Sequence, residues 1–122
     1  MAHDADVLIV GGGLVGAALA LALDRARLSS VLIDARPADT QNAPGFDGRS
    51  YALALSSVRM LKATGLWPAL AAEAQPMLEI KVSDGRAGTG PSPFVAEFHH
   101  GEIEEGPMGH MIEDRHLRRV LQ

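Results

Sequence analysis

The chain contains no cysteine in its 122 residues. This absence excludes a disulfide framework, a thiolate metal site and thiol redox chemistry, so any electron transfer requires a bound cofactor. Positive charge is not in excess either, because 11 lysines and arginines stand against 15 aspartates and glutamates, for a formal net charge of −4. Nucleic-acid binding usually requires a basic surface, and the charge balance therefore argues against a nucleic-acid partner.

Long apolar runs are also lacking. The longest, Leu14 to Leu23, is rich in alanine and well short of the roughly 20 residues that span a membrane. Residues 1–6 carry no positively charged leader, which argues against a secretory signal and predicts a cytoplasmic protein. The remaining composition, 47% hydrophobic and 21% charged, is typical of one modest globular domain rather than of a disordered chain.

A group of histidines and glutamates late in the chain lacks the spacing of a metal site. His99 and His100 are adjacent, and adjacent side chains on a strand point to opposite faces. Glu102, Glu104 and Glu105 follow in a glycine-containing segment. We therefore expect a solvated charged loop here and no bound metal.

The most informative segment runs from Val7 to Asp34. An apolar run predicts a strand, glycines follow at positions 11, 12, 13 and 16, a long apolar segment predicts a helix, and a second apolar run ends in Asp34. Strand, glycine turn, helix, strand and acid in this order form the dinucleotide-binding fingerprint. A tight structural turn followed by an ordinary strand-end acid would not explain why every element keeps its spacing.

Each position has a physical role in this interpretation. Gly11 allows a sharp turn out of the first strand, and Gly13 allows the main chain to approach a pyrophosphate closely. Gly16 allows the helix to pack closely against the strand, while the helix N-terminus directs N–H groups and a partial positive charge at the phosphates. Asp34 stands near the roughly 20-residue spacing of the acid that binds a ribose hydroxyl. The fingerprint alone does not distinguish a flavin dinucleotide from a nicotinamide dinucleotide.

The segments that flank this unit also carry expectations. The helix, Leu14 to Arg27, is apolar on nearly all faces until Asp24, so we expect further protein to cover its outer side. The segment Ala35 to Phe46 is a polar loop without periodicity, which we expect to be mobile or to face a ligand. Residues 47–55 predict a turn followed by an extended segment.

Two helices are predicted next. The first has Ser56 as its N-cap and Gly65 at its end. Pro68 suits the first turn of a short helix, Pro68 to Ala74. We expect Trp67 to pack in the core or an interface rather than to stack on a ligand.

The remaining chain predicts strands and a final helix. Apolar alternation in Leu78 to Ser83 and again from Phe94 to Phe98 indicates two antiparallel strands, joined by a long and loose connection over residues 84–93. Gly109 to Ile112 predicts another strand. Asp114 is then expected to cap a helix that begins near Arg115.

Several of these segments together resemble a known family, the N-terminal part of the aromatic-ring flavoprotein hydroxylases, and most of all the ubiquinone-biosynthesis hydroxylases that act on polyprenylated phenols. The residues that carry the resemblance are Asp47 to Leu53, Ser56, Leu61, Gly65-Leu66-Trp67, Leu78 to Asp84 and Gly109 to Asp114. The resemblance implies an α/β fold with a Rossmann-like FAD-binding βαβ unit and a parallel sheet. It also implies that residues 1–122 are the N-terminal part of an FAD-binding domain, and that strands near 78–83 and 94–98 begin an antiparallel sheet of a substrate domain.

The resemblance assigns FAD-binding positions across the chain. The pyrophosphate is expected at the glycines, the adenosine ribose at Asp34, where relatives more often carry glutamate, and the adenosine half near Arg36. Arg49 is expected at the phosphates or the ribityl chain, although a helix-start salt bridge is its alternative role. Asp114 or Arg115 is expected near the ribityl region. The full set of expected cofactor-binding residues is Gly11, Gly13, Leu14, Val15, Gly16, Asp34, Ala35, Arg36, Arg49, Asp114 and Arg115.

The function implied by the resemblance is hydroxylation of a phenol. FAD would be reduced by NADH or NADPH, and one atom of O₂ would be transferred to an electron-rich ring, with the catalytic residues outside this chain and the fragment alone inactive. The expected partners are the phenolic substrate and O₂, together with peripheral contact with the inner face of the membrane or with other quinone-biosynthesis proteins. Two alternatives stay open: an NAD-dependent dehydrogenase, supported by the fingerprint alone, and a non-enzymatic nucleotide-binding module.

Overall fold

The computed structural model describes residues 3–37 and 45–122. Most of the predicted loop over residues 35–46 therefore lies outside the described residues. In chain order the elements are β1 (Val7–Val10), α1 (Leu14–Arg25), β2 (Ser30–Ile33), β3 (Ser50–Ala54), α2 (Leu55–Ala63), α3 (Trp67–Leu70) with a 3₁₀ turn (Ala71–Glu73), β4 (Gln75–Pro76), β5 (Glu79–Arg86), β6 (Gly90–His99), a 3₁₀ turn (His100–Glu102), β7 (Gly109–Glu113) and α4 (Asp114–Leu121).

The predicted βαβ unit is present. β1 and β2 pair in parallel, with Val7 opposite Ser30 and Val10 opposite Ile33. The crossover helix α1 ends at Arg25, two residues before the predicted boundary, because Arg27 adopts a left-handed conformation with φ of 61°. The N–H of Leu28 then donates to the Leu23 carbonyl at 2.9 Å and closes the helix end.

A second sheet has the strand order β3-β7-β4 and is antiparallel. β3 continues in register to Ala54, which lies opposite Gly109, and α2 begins at the next residue. The prediction of Ser56 as the N-cap is therefore wrong, since Ala54 holds that position and no side chain among the described residues caps α2. The prediction for the other end is confirmed: Gly65 follows the helix with φ of 77°.

The third sheet is the β5–β6 hairpin. Its two antiparallel strands confirm the pairing prediction, with Ile80 opposite Phe98 and Val82 opposite Ala96. The prediction of a long and loose connection over residues 84–93 is wrong, because the ladder continues to the pair Arg86 and Gly90 and leaves a three-residue turn. Gly88 and Gly90 have positive φ, so the glycines that suggested a loop form a tight reversal instead. Nearly every residue of the hairpin is exposed.

The core lies where α1, α2, α3 and α4 meet the second sheet. Leu70, Ile112 and Val58 are the largest side chains that are fully buried. Trp67 packs against the core cluster that includes Leu70 and Ile112, as predicted. The outer side of α1 has no cover within the described residues: Val15 and Leu19 are 84% and 46% exposed. In residues 3–37 and 45–122, no helix combines the length and apolarity needed to cross a bilayer.

His110, on β7, is the residue through which we expect the stability of this core to depend on pH. Its ring lies edge-on to Trp67 with centroids 4.8 Å apart, and its buried Nδ1 has no hydrogen-bond partner in the described part of the chain. Burial lowers the pKa of His110 from its usual 6.5, and the nearby Lys62 lowers it further. The folded state therefore favours the neutral imidazole. The stability that depends on this neutral form is complete above about pH 6.5, the unfolded-state pKa, and decreases as the pH falls from there through the lower folded-state pKa.

We expect His110→Gln to reduce the loss of stability between pH 7.5 and pH 5.5, because glutamine does not titrate. Urea unfolding of the apoprotein at the two pH values measures the difference, with the exposed His3→Gln as the control. An equal loss of stability in the wild type and in His110→Gln would show that His110 does not couple folding to pH.

Candidate functional site: the glycine corner

The glycine corner, Gly11 to Gly16, joins β1 to α1. Gly11 has φ of 107°, a conformation that side chains disfavour, and its N–H donates to the Ile33 carbonyl at 2.7 Å. Gly13 is the N-cap of α1 and has extended angles that any residue can adopt. The chain thus leaves β1, stays hydrogen-bonded to β2 and turns directly into the helix.

The glycines have different steric environments. A Cβ on Gly16 would overlap the Gly11 carbonyl oxygen and lie 3.4 Å from Cγ2 of Ile9, so helix and strand are in direct contact here. A Cβ on Gly12 would lie 2.8 Å from Cδ2 of Leu32. A Cβ on Gly13, by contrast, would have no atom of the described residues within 4 Å. The space beside Gly13 is therefore open, whereas Gly12 and Gly16 are enclosed.

The N-terminus of α1 favours an anion electrostatically. The first turn contains no acidic residue, and no described side chain caps it. Helix geometry leaves its first N–H groups without intrahelical acceptors and gives this end a partial positive charge. These groups lie beside an open cleft of about 540 Å³, which is lined by Ile9, Val10, Gly11, Gly13, Leu14, Val15, Gly16, Leu19 and Tyr51.

Asp34 follows β2 and faces the glycine corner. Its Oδ2 accepts the Gly12 N–H at 2.6 Å, and its Oδ1 accepts the Arg36 N–H at 2.7 Å. These two backbone hydrogen bonds, that from Arg36 first, lower the pKa of Asp34, so the carboxylate is ionised at neutral pH. Ala35 and Arg36 are exposed beside it, and the Arg36 Nε lies 3.6 Å from Asp34 Oδ1. An ionised carboxylate at this position can accept hydrogen bonds from a ribose diol.

Arg49 lies in a separate group at the start of α4. The carboxylate–guanidinium cluster consists of Asp47, Arg49, Asp114 and Arg118. Nη2 of Arg49 lies 3.1 Å from Asp114 Oδ2, and its Nε donates to Asp47 Oδ2 at 2.8 Å. Hydrogen bonds from Arg49 lower the pKa of Asp47, that from its side chain most of all. The structure thus contains the helix-start salt bridge considered as the alternative role of Arg49, on a side chain that remains half exposed.

Asp114 and Arg115 each lie one position further into helix α4 than predicted. The cap position belongs to Glu113, and Asp114 is the first residue of α4, so the prediction of Asp114 as the cap is wrong. Its carboxylate is turned inward to Arg49 and Arg118. Arg115 pairs with Glu113 at 2.6 Å and lies 5.9 Å from the centre of the Phe46 ring.

The expected site residues therefore form two groups. One is the glycine corner with residues 34–36, and the other is the start of α4 with Arg49. Helix α4 connects them. Its first residue, Asp114, contacts Arg49, and just after its end the side-chain amide of Gln122 donates to the Gly12 carbonyl at 2.7 Å. Eight helical residues span about 12 Å.

Sequence reasoning missed Gly12, Asp47, Arg118 and Gln122 as parts of these groups. Gly12 matters because its N–H orients Asp34, and its lack of a side chain leaves room for Leu32. The i,i+4 spacing of Asp114 and Arg118 was a signal for their ion pair on one helix face. Nothing local marks Gln122 as a partner of Gly12, which lies 110 residues earlier.

The glycine corner and Asp34 have the features that a dinucleotide requires. A phosphate needs open space, free N–H donors and no nearby negative charge in the first turn, and the face of the corner beside Gly13 meets all three conditions. A ribose needs an ionised acid at the end of the adjacent strand, which Asp34 supplies. Fold and site together define a dinucleotide-binding βαβ unit. The chain belongs to the FAD binding domain family, which matches residues 4–114.

Known proteins support this assignment. The chain is 46% identical over 117 residues to the ubiquinone hydroxylase UbiL of Rhodospirillum rubrum, covering 96% of this chain and 26% of that protein. It is 30% identical over 118 residues to 3-demethoxyubiquinol 3-hydroxylase of Escherichia coli K12, covering 95% of this chain and 29% of that protein. The chain thus spans little more than a quarter of the length of these relatives.

A solved structure supports the fold. The flavin-dependent monooxygenase PieE, in complex with FAD and substrate, superimposes with a TM-score of 0.60 at 22% identity, covering 98% of this chain and 22% of that one. At this identity the likeness establishes the fold alone. The predicted α/β class, with a parallel βαβ unit and antiparallel sheets, is confirmed, and the resemblance to the ubiquinone-biosynthesis hydroxylases is confirmed by the relatives.

Proposed function

We propose that this chain holds the ADP half of FAD in a flavoprotein monooxygenase. The observation that carries the proposal is the glycine corner, where open space beside Gly13 meets the uncapped N-terminus of α1 and the ionised Asp34 lies at the adjacent strand end. The main-chain N–H groups of Leu14, Val15 and Gly16 would bind the pyrophosphate. Asp34, with Ala35 and Arg36 beside it, would bind the adenosine ribose.

The second group of residues would act further along the same cofactor. Arg49 would contact the phosphates or the ribityl chain, because its guanidinium is half exposed and permanently charged. Arg115 follows Asp114, the residue of α4 that contacts Arg49, and would border the ribityl region. Bound FAD supplies electron transfer and oxygen activation, while these residues bind and orient it.

The substrate in this proposal is a phenol, polyprenylated as in ubiquinone biosynthesis, and the co-reactants are NADH or NADPH and O₂. The names of the two relatives support this class, since one is a ubiquinone hydroxylase and the other a 3-demethoxyubiquinol 3-hydroxylase. A polyprenyl chain would bring the protein to a membrane surface. We further propose that β5 and β6 begin a substrate-domain sheet, because the hairpin pairs only with itself among the described residues and exposes Phe94 and Phe98.

The test uses the full-length protein. We expect it to purify with flavin absorbance, or to gain that absorbance when reconstituted with FAD, and to bind NAD⁺ far more weakly. A colourless protein that cannot be reconstituted with FAD but binds NAD⁺ tightly would support the dehydrogenase alternative and contradict the proposal. Oxidation of NADH or NADPH that depends on a phenol, with a hydroxylated product identified by mass spectrometry, tests the reaction.

A further inference from the structure

Asp114 is the buried acid of the carboxylate–guanidinium cluster, and its burial does not suit direct contact with a ligand. The Asp114 side chain is 4% exposed, whereas the side chains of Asp47 and Arg49 are 43% and 51% exposed. Asp114 Oδ2 is engaged by Arg49 and by Arg118, which lies four residues later on the same helix. Its carboxylate is therefore enclosed between two cations and is not presented to the surface.

The two acids hold one side of the Arg49 guanidinium and leave the other side available. Asp47 accepts from Nε and Nη2, and Asp114 pairs with Nη2. Within residues 3–37 and 45–122 the Arg49 guanidinium donates its hydrogen bonds through Nε and Nη2, both to Asp47, and the side chain stays 51% exposed. A guanidinium fixed in this way presents the two N–H donors of Nη1 in a constant direction, which suits an anionic oxygen.

Asp47 and Asp114 differ in how firmly they can hold Arg49. Asp47 is an exposed neighbour of Arg49 in the same loop, and exposed ion pairs of this kind hold their partners weakly. Asp114 is buried at the start of α4, and its N–H also donates to the Arg49 carbonyl at 3.0 Å. It therefore ties both the main chain and the side chain of Arg49 to a packed helix. Arg118 in turn restricts the Asp114 carboxylate to one orientation.

We infer that Asp114 is a positioning residue for FAD binding, which holds the Arg49 guanidinium so that Nη1 faces the cofactor and which does not contact the cofactor itself. The inference rests on the proposed function, because it assigns Arg49 to the same FAD site. It changes the role of Asp114 from a ribityl contact to a support for Arg49.

The test is a double-mutant cycle in the full-length protein, with FAD dissociation constants measured by titration of the apoprotein. We expect Asp114→Asn, which keeps the size and the main-chain hydrogen bond, to weaken FAD about tenfold, and Arg49→Ala to weaken it at least as much. In the Arg49→Ala background, Asp114→Asn should have no further effect, because no guanidinium is left to position. Glu105→Gln and Arg59→Ala, which remove the partners of an exposed ion pair, are matched controls and should leave the dissociation constant unchanged.

Each outcome has a defined meaning. Additive effects in the double variant would overturn the inference in favour of direct contact between Asp114 and FAD. An unchanged dissociation constant with a lowered Tm would also overturn it, since Asp114 would then serve stability alone. If Asp114→Asn does not fold, Asp114→Glu retains the charge but displaces the carboxylate, and the same cycle and criteria apply. A wild-type protein that does not bind FAD would instead overturn the proposed function, and the inference with it.

Discussion

Gly16→Ala is expected to lower the free energy of unfolding of the apoprotein by about 3 kcal/mol. Gly16 lies within α1, where alanine would ordinarily stabilise a helix by about 1 kcal/mol relative to glycine. The expected sign is reversed because the new Cβ would overlap the Gly11 carbonyl oxygen and lie 3.1 Å from its carbonyl carbon. Main-chain atoms cannot rotate away as a side chain can, so α1 would have to move off β1.

Urea unfolding of the full-length apoprotein, followed by circular dichroism, measures this change. Gly45→Ala is the control, since a Cβ there would have no atom of residues 3–37 and 45–122 within 4 Å, and it should change the stability by much less than Gly16→Ala. FAD affinity should fall together with stability in Gly16→Ala, because the displaced helix carries the phosphate-binding N–H groups. A Gly16→Ala protein as stable as the wild type would show that the contact between helix and strand is looser than the structure indicates.

The parts of the fold that follow from local chemistry were predictable. β1, α1 and β2 follow from an apolar pattern with glycines between, and Gly65 ends α2 because its φ of 77° is available mainly to glycine. In the structure the Leu66 N–H donates to the Leu61 carbonyl at 2.9 Å, which completes the expected helix end. These features depend on neighbouring residues and on few long-range contacts.

The starts of α2 and α4 were not predictable in this way. Both helices follow a strand without a spacer, and the ends of β3 and β7 are set by their mutual pairing, in which Ser50 lies opposite Glu113 and Ala54 opposite Gly109. Ser56 is a good N-cap by propensity but lies inside the helix, because the ladder ends at Ala54. Long-range pairing thus overrides the local cap preference.

The candidate site likewise has one part that follows from local sequence and one part that depends on long-range pairing. The glycine corner and Asp34 lie within one βαβ unit, so their spacing in sequence determines their spacing in space. The cluster at Arg49 joins residues more than sixty positions apart through the β3–β7 pairing, and no local pattern predicts the contact between Arg49 and Asp114. The resemblance to a family assigns Arg49 and Asp114 to the expected site, but only the structure shows that they contact each other.

Gly13→Val is expected to weaken FAD binding by at least 100-fold while leaving the fold intact. The extended angles of Gly13 are open to any residue, and within the part of the chain that the structure describes a Cβ there would have no atom within 4 Å. The branched side chain would instead fill the space where the pyrophosphate must approach the N–H groups of α1. Valine is also a poorer N-cap than glycine, which would cost up to about 1 kcal/mol of stability and is far too little to unfold the domain.

The contrast between Gly13 and Gly16 separates effects on binding from effects on folding within the N-cap and first turn of one helix. Circular dichroism and urea unfolding should show a nearly unchanged Gly13→Val apoprotein, while FAD titration shows the loss of affinity. Gly13→Ala should lie between the wild type and Gly13→Val, because a single methyl group fills only part of the space. If Gly13→Val bound FAD as tightly as the wild type, the pyrophosphate would have to bind elsewhere. The glycine corner would then be a structural turn, since its open face and unpaired N–H groups would serve no ligand.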